Sequence, residues 1–184
     1  MLGPTERFME HTRKVERIYA GRILELERLE VELDDGRTAM REIVRHAGAV
    51  GILARLPDGA FVFVRQFRKA VESEAIEVCA GLLNPGESAE AAARRELIEE
   101  TGCRAARWTR LGTLWSSPGY TDETIEVFFA DCEEAPGPSD PDEDERVEPL
   151  ILRATEVEDL IRRNVIRDAK TVAAWMLYRL KVSG

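Results

Sequence analysis

Between Ser88 and Gly102 the chain spells a helix whose end works against its own stability. Ser88 suits an N-cap, because its hydroxyl can accept an early backbone N–H. Gly102 suits the left-handed position that closes a helix. The last turns between them hold Glu96, Glu99 and Glu100. Carboxylates stabilise the start of a helix and oppose its end. Glu96 and Glu100 are also like charges four residues apart, which repel by a few tenths of a kcal/mol. A helix that breaks local rules in this way marks a site with another task. Carboxylates at i, i+3 and i+4 project from one side of the cylinder. Hard divalent cations such as Mg²⁺ bind such oxygens and keep waters for substrate phosphates. Two of them can clamp the attacking and leaving oxygens of a displacement at phosphorus. The competing reading is a solvated acidic helix end in which Arg95 partly neutralises Glu99.

The remaining text organises around this helix. Residues 15–33, "VERIYAGRILELERLEVEL", alternate apolar and charged side chains and predict strands. Asp34-Asp35-Gly36 is a hairpin signal, with "RTAMREIVRH" as the return strand. "AGAVGILARL" is nearly all apolar, the pattern of a strand buried on both faces. Pro57-Asp58-Gly59 turns the chain into "AFVFVRQF". Residues 74–83 predict a short strand, 107–115, 124–131 and 147–152 further strands, and 155–164 and 168–181 two helices. The stretch 133–146 reads as a long loop, and loops of that length are functional or disordered.

Composition narrows the partners. The 184 residues carry 26 Lys+Arg against 35 Asp+Glu, a formal charge of −9, which argues against a nucleic-acid backbone. No apolar run has the length of a membrane span, and "MLGPTERFMEHTRK" lacks an apolar leader core, so the expectation is a cytoplasmic protein with no membrane partner. Cys79, Cys103 and Cys132 show no paired spacing and read as reduced packing residues. With only His11 and His46 present, any metal is expected on oxygen.

From Gly81 the text runs "GLLNPGESAEAAARRELIEETGC". Five residues separate Gly81 from Glu87. Seven more lead to Arg95-Glu96-Leu97, then Glu99-Glu100 and Gly102. This resembles the Nudix box, the loop–helix–loop signature of the Nudix hydrolases. Every fixed polar and glycine position is met over 23 residues, and only the final aliphatic position departs, with Cys103. "SSPGYTDETIEVFFA" (116–130), "VRQFR" (64–68) and "DEDERVE" (142–148) look like the ADP-ribose pyrophosphatase subfamily, in which Pro118 has its counterpart. That subfamily usually has proline where "EVCAG" has Cys79.

The resemblance implies an α/β fold. It would be a Nudix-type α/β/α sandwich with a mixed sheet (46–184) preceded by an N-terminal antiparallel strand region (1–45) that forms a dimer. It implies Mg²⁺, or Mn²⁺ or another divalent cation, held by Glu96, Glu99, Glu100 and the Ala80 carbonyl. Arg95 would orient the glutamates, and Glu87 would pair with it or assist the metal. Gly81 would let the backbone approach closely. Arg68, Ser117, Gly119 and Glu123 would bind substrate, with Tyr120 either a substrate wall or a surface aromatic. Arg22, Ile23 and Arg28, with Glu30, would reach the partner's adenosine pocket. Glu143 would be the general base, with Glu145 the next choice. The implied activity is hydrolysis of ADP-ribose to AMP and ribose 5-phosphate in a homodimer. The alternatives are another nucleoside diphosphate sugar such as GDP-mannose, or a sensor that binds ADP-ribose-like ligands without cleaving them.

Overall fold

Three strands supply nearly half of the buried core, and their side chains alternate between two destinations. In the computed structural model, which describes residues 9–134, 136–138 and 146–182, these are β4 (Ala49–Arg55), β5 (Phe61–Arg68) and β9 (Thr124–Cys132). Ala49, Leu53, Phe61, Phe63, Ile125, Val127 and Phe129 face one cluster. Val50, Ile52, Ala54, Val62, Phe128, Ala130 and Cys132 face the other. Successive residues of a strand point to opposite faces. The nearly continuous apolar runs thus become a sheet covered on both sides.

The two covers come from different parts of the chain. Helix α1 (Ala89–Thr101) lays Ala92, Ala93 and Leu97 on one face. Helices α2 (Ala154–Arg162) and α3 (Ala169–Lys181) lay Val157, Ala174, Trp175 and Tyr178 on the other. With β6 (Ser73–Glu77), β7 (Cys79–Leu82), β8 (Ala105–Trp115) and β10 (Val147–Leu152), the sheet has seven strands. Its order is β10-β5-β4-β9-β8, with β6 on β5 and β7 on β4. The β4–β9 pair is parallel and β10–β5 antiparallel, so the sheet is mixed, as expected of an α/β chain.

The chain divides into two compact units, Met1–Ala47 with Trp115–Glu123, and Gly48–Leu114 with Thr124–Gly184. The first unit is an antiparallel sheet of β1 (Glu10–Ala20), β2 (Leu24–Leu33) and β3 (Thr38–His46). Every residue of β1 is exposed, including Val15, Ile18 and Tyr19. Segment 115–123 is tied to β3 by Val44 N to Tyr120 O at 2.7 Å and by Asp122, which accepts from His46 N and Arg45 at 3.0 Å each. The strands expected over 15–33 fall in β1 and β2, and the chain reverses between them at Gly21–Ile23, where Gly21 N donates to Leu24 O. A single glycine without a second turn residue gave no hairpin signal there.

The other refinement concerns 74–83, which also forms two strands. β6 pairs with β5 up to Glu77, and β7 pairs with β4 from Cys79. Val78 lies at the crossover, wholly buried, and its N–H donates to Thr171 Oγ1 of α3 at 2.9 Å. Thr171 is itself held by the N-cap Asp168, which accepts from its N–H at 2.9 Å and its hydroxyl at 2.5 Å. A buried N–H without an acceptor costs about 1–3 kcal/mol. Thr171→Val is therefore expected to lower unfolding free energy by about 1–3 kcal/mol in chemical denaturation, and Thr171→Ser by clearly less.

Candidate active site

Helix α1 begins and ends as its caps dictate. Ser88 Oγ accepts Ala91 N at 3.2 Å, and Gly102 sits at φ 67° with its N–H on Ile98 O at 2.8 Å. The acidic end turns inward. Glu96 is 9% exposed and Glu100 3% exposed, so these are not solvated surface charges. Ala80 of β7 donates its N–H to Glu100 Oε2 at 3.1 Å.

Arg95 collects the other acids. Its Nη1 bonds Glu96 Oε1 at 2.6 Å and Glu99 Oε2 at 2.9 Å. Its Nε and Nη2 take the two oxygens of Glu87 at 3.1 and 3.0 Å, and Nη2 also reaches Leu82 O at 3.0 Å. The pKa of Arg95 is driven further up, first by Glu87 and then by Glu96 and Glu99. The Glu87 carboxyl is held below its usual range by Arg95 and by Asn84 N–H. The loop 82–87 is thereby folded onto the guanidinium.

Gly81 explains how a carboxylate reaches the strand. A Cβ at Gly81 would lie 1.9 Å from the Glu96 carboxyl carbon. Only glycine leaves that space. Cys79, in place of the subfamily's proline, is wholly buried, and burial with Glu100 nearby pushes its thiol well up. Cys103 and Cys132 are buried in the cluster beneath α1, and all three thiols are free, as packing residues should be.

The donor set fits a hard divalent cation. Carboxylate oxygens from one helix lie beside the backbone of Ala80, and acids outnumber the Arg95 guanidinium four to one. Among the described residues no three acidic, cysteine or histidine side chains converge as a ready-made cage. Mg²⁺ suits such a site, since it binds through one or two carboxylates and completes its shell with water and phosphate.

The second unit also holds Arg68, at the end of β5. Its guanidinium is bonded to Glu77 through Nε and Nη2 at 2.7 Å each. The first unit holds the remaining candidates. Arg22 and Ile23 lie in the β1–β2 turn, and Arg28 on β2 bonds Glu16 at 2.7 Å. Ser117 O accepts the N–H groups of Tyr120 and Thr121, both at 3.1 Å. Gly119 has open space where a side chain would stand, and Glu123 lies 3.5 Å from His46 Nδ1. Glu143 and Glu145 lie outside the described residues. Sequence reasoning missed Glu77, Asp168, Lys170 and Thr171. The one available signal was an acid in the apolar stretch "AIEVCAG", which calls for a buried counter-ion.

Comparison with known proteins agrees with this geometry. A family model described as NUDIX domain matches residues 45–175. The ADP-ribose pyrophosphatase of Bacillus subtilis (strain 168) is 39% identical over 176 residues, covering 94% of each chain. The methanol dehydrogenase activator of Bacillus methanolicus is 38% identical over 175 residues, covering 95% of each. A crystal structure of an ADP compounds hydrolase superposes with a TM-score of 0.81 at 26% identity, covering 95% of each chain. The chain belongs to the Nudix family and is a pyrophosphohydrolase of that family. With membership comes the family's general dependence on a divalent metal. Among the described residues no helix is long and apolar enough to cross a membrane.

Gly81→Ala separates fold from site. The nearest atoms to the added methyl belong to the tip of Glu96, which can swing away. The melting temperature is expected to stay within a few degrees. Turnover is expected to fall by at least about 10²-fold, the scale of an ångström-sized misplacement, with weaker Mn²⁺ binding in a metal titration.

Proposed function

We propose that this protein cleaves the diphosphate of ADP-ribose to AMP and ribose 5-phosphate, using Mg²⁺. The observation that carries the reading is the buried Glu96–Glu100 pair beside Ala80, with Glu96 and Glu99 fixed by Arg95. Identity of 39% to a chain named ADP-ribose pyrophosphatase, over nearly the full length of both, supports the substrate. Retention of Arg95, Glu96, Glu99 and Glu100 disfavours a sensor that binds without cleaving. The cation would neutralise diphosphate charge and acidify the attacking water. Glu96, Glu99, Glu100 and the Ala80 carbonyl would hold it, and Arg95 would keep the glutamates in place. Arg68 would meet a phosphate oxygen, while Ser117, Gly119 and Glu123 would line the ribose phosphate end. Glu143 would take the proton of the attacking water, with Glu145 second in line. The reaction is assigned to the cytoplasm.

A phosphate-release assay coupled to a phosphomonoesterase tests this across ADP-ribose, GDP-mannose and other nucleotide sugars. ADP-ribose is expected to give the highest kcat/KM, and a clear preference for GDP-mannose sinks the assignment. Glu143→Gln is expected to lower kcat by about 10²–10⁴-fold, the usual range for loss of a general base, and Glu145→Gln by less. Near-normal kcat in Glu143→Gln moves the role to another acid.

We also infer a homodimer built through the N-terminal strands, with Arg22, Ile23 and Arg28 serving the partner's adenosine pocket. Its support is β1, whose Val15, Ile18 and Tyr19 are each about half exposed, an unfavourable display of apolar surface for a lone chain. Light scattering should give twice the chain mass at assay concentrations. A fully active monomer overturns the shared site.

A further inference from the structure

The roles assigned above use only Arg68 of a larger buried ion cluster. Glu77, at the end of β6, is 2% exposed. Its carboxylate takes Arg68 Nε and Nη2, and Lys170 Nζ bonds Oε2 as well. Lys170 is nearly buried and lies 3.1 Å from Asp168. Burial pushes the Glu77 carboxyl up, but Arg68 and Lys170 outweigh it and hold the group below its usual range. Two anions and two cations balance.

Apolar residues fill a core at least as stably as a buried ion cluster does. What such a cluster does well is fix the orientation of its members, and here the member that reaches solvent is Arg68. Its side chain is 43% exposed, against 2% for Glu77. The Nε–Nη2 edge is clamped, so the plane of the guanidinium is set. Among the described residues Nη1 makes no hydrogen bond. Glu77, which clamps Arg68, stands three residues before Ala80, whose N–H bonds Glu100, so one short stretch of chain holds both the guanidinium and the acid cluster. A clamped cation with one open edge next to carboxylates suits a phosphate oxygen.

We propose that Lys170 is a positioning residue: through Glu77 it holds Arg68 in the attitude that receives a substrate phosphate oxygen. This rests on the pyrophosphohydrolase reading and adds the first turn of α3 to the site. Lys170 is suited to the place because an ammonium is a compact charge that reaches Glu77 and Asp168 together without competing for the planar edge that Arg68 occupies. Without it, Glu77 has a single cation, and the guanidinium is drawn deeper toward the uncancelled charge.

Steady-state kinetics on ADP-ribose with Mg²⁺ test the idea with Lys170→Met, Lys170→Arg, Arg68→Met and the double variant. Lys170→Met is expected to raise KM by roughly 10- to 100-fold, the worth of a charge-assisted phosphate bond, with kcat changed by less than about threefold. Lys170→Arg should return KM to within about threefold of wild type. The double variant should match Arg68→Met, because residues acting through one group are not additive. If Lys170→Met does not fold, Glu77→Gln with Lys170→Met keeps the cluster's charges balanced and should still show the KM of Arg68→Met. A wild-type KM in either Lys170→Met background, or effects that multiply in the double variant, overturns the proposal. A wild type that ignores ADP-ribose but cleaves GDP-mannose overturns only the substrate, and the same series on GDP-mannose then decides the role of Lys170.

Discussion

The guanidinium of Arg95 is the point on which the site turns. It bonds Glu87, Glu96, Glu99 and the Leu82 carbonyl at once. Without that cation, the end of α1 would be a set of repelling carboxylates at the wrong pole of a helix dipole. With it, the acids are gathered and the loop after β7 is fastened to the helix. The arrangement is still rich in negative charge, and that surplus suits it to divalent cations. Local instability of the sequence and function of the site have one cause.

The sheet explains why this can be built rigidly. β4 pairs with β7 and β9, and its alternate residues serve both apolar clusters. Ala80, half-buried, faces the buried Gly51 across that pairing. Helix α1 is pressed on the same strands by Ala92, Ala93 and Leu97. The glutamates and the strand they meet are therefore fixed by one core, as a preorganised site requires. Functional groups carried on helices and strands hold their geometry better than groups on loops.

Legibility in the sequence followed the range of the interaction. The helix, its caps and its acid spacing involve residues within a few turns, and all were readable. Gly81 was readable as a close approach, though not that the Glu96 carboxylate itself is what fills the space. The two-faced core followed from apolar runs in β4 and β5. The turn at Gly21–Ile23 was not readable, because it rests on one Gly21 N to Leu24 O bond and the pairing it permits. Neither was the strand switch at Val78, whose acceptor Thr171 is 93 residues away. Glu77 and Lys170 are separated by the same distance, and nothing local to either names the other. Ion pairs of that span are decided by the fold and leave no spacing pattern.

The Val78 switch also sets an order of events at the ribosome. Strands β4 to β7 and helix α1, with the loop between them, precede α2 and α3 and hold Glu77, Glu87, Glu96, Glu99 and Glu100. Thr171, which accepts the Val78 N–H, and Lys170, which shares Glu77, each lie 93 residues further along the chain than their partners. Domains gain structure from the N-terminus as they are made. Here the Val78 N–H gains its Thr171 acceptor only once α3 has been made. A chain that stopped short of α3 would carry the whole of α1 and yet lack the acceptor that holds the strand meeting it. Completion of the strand that meets α1 thus waits on the docking of α3.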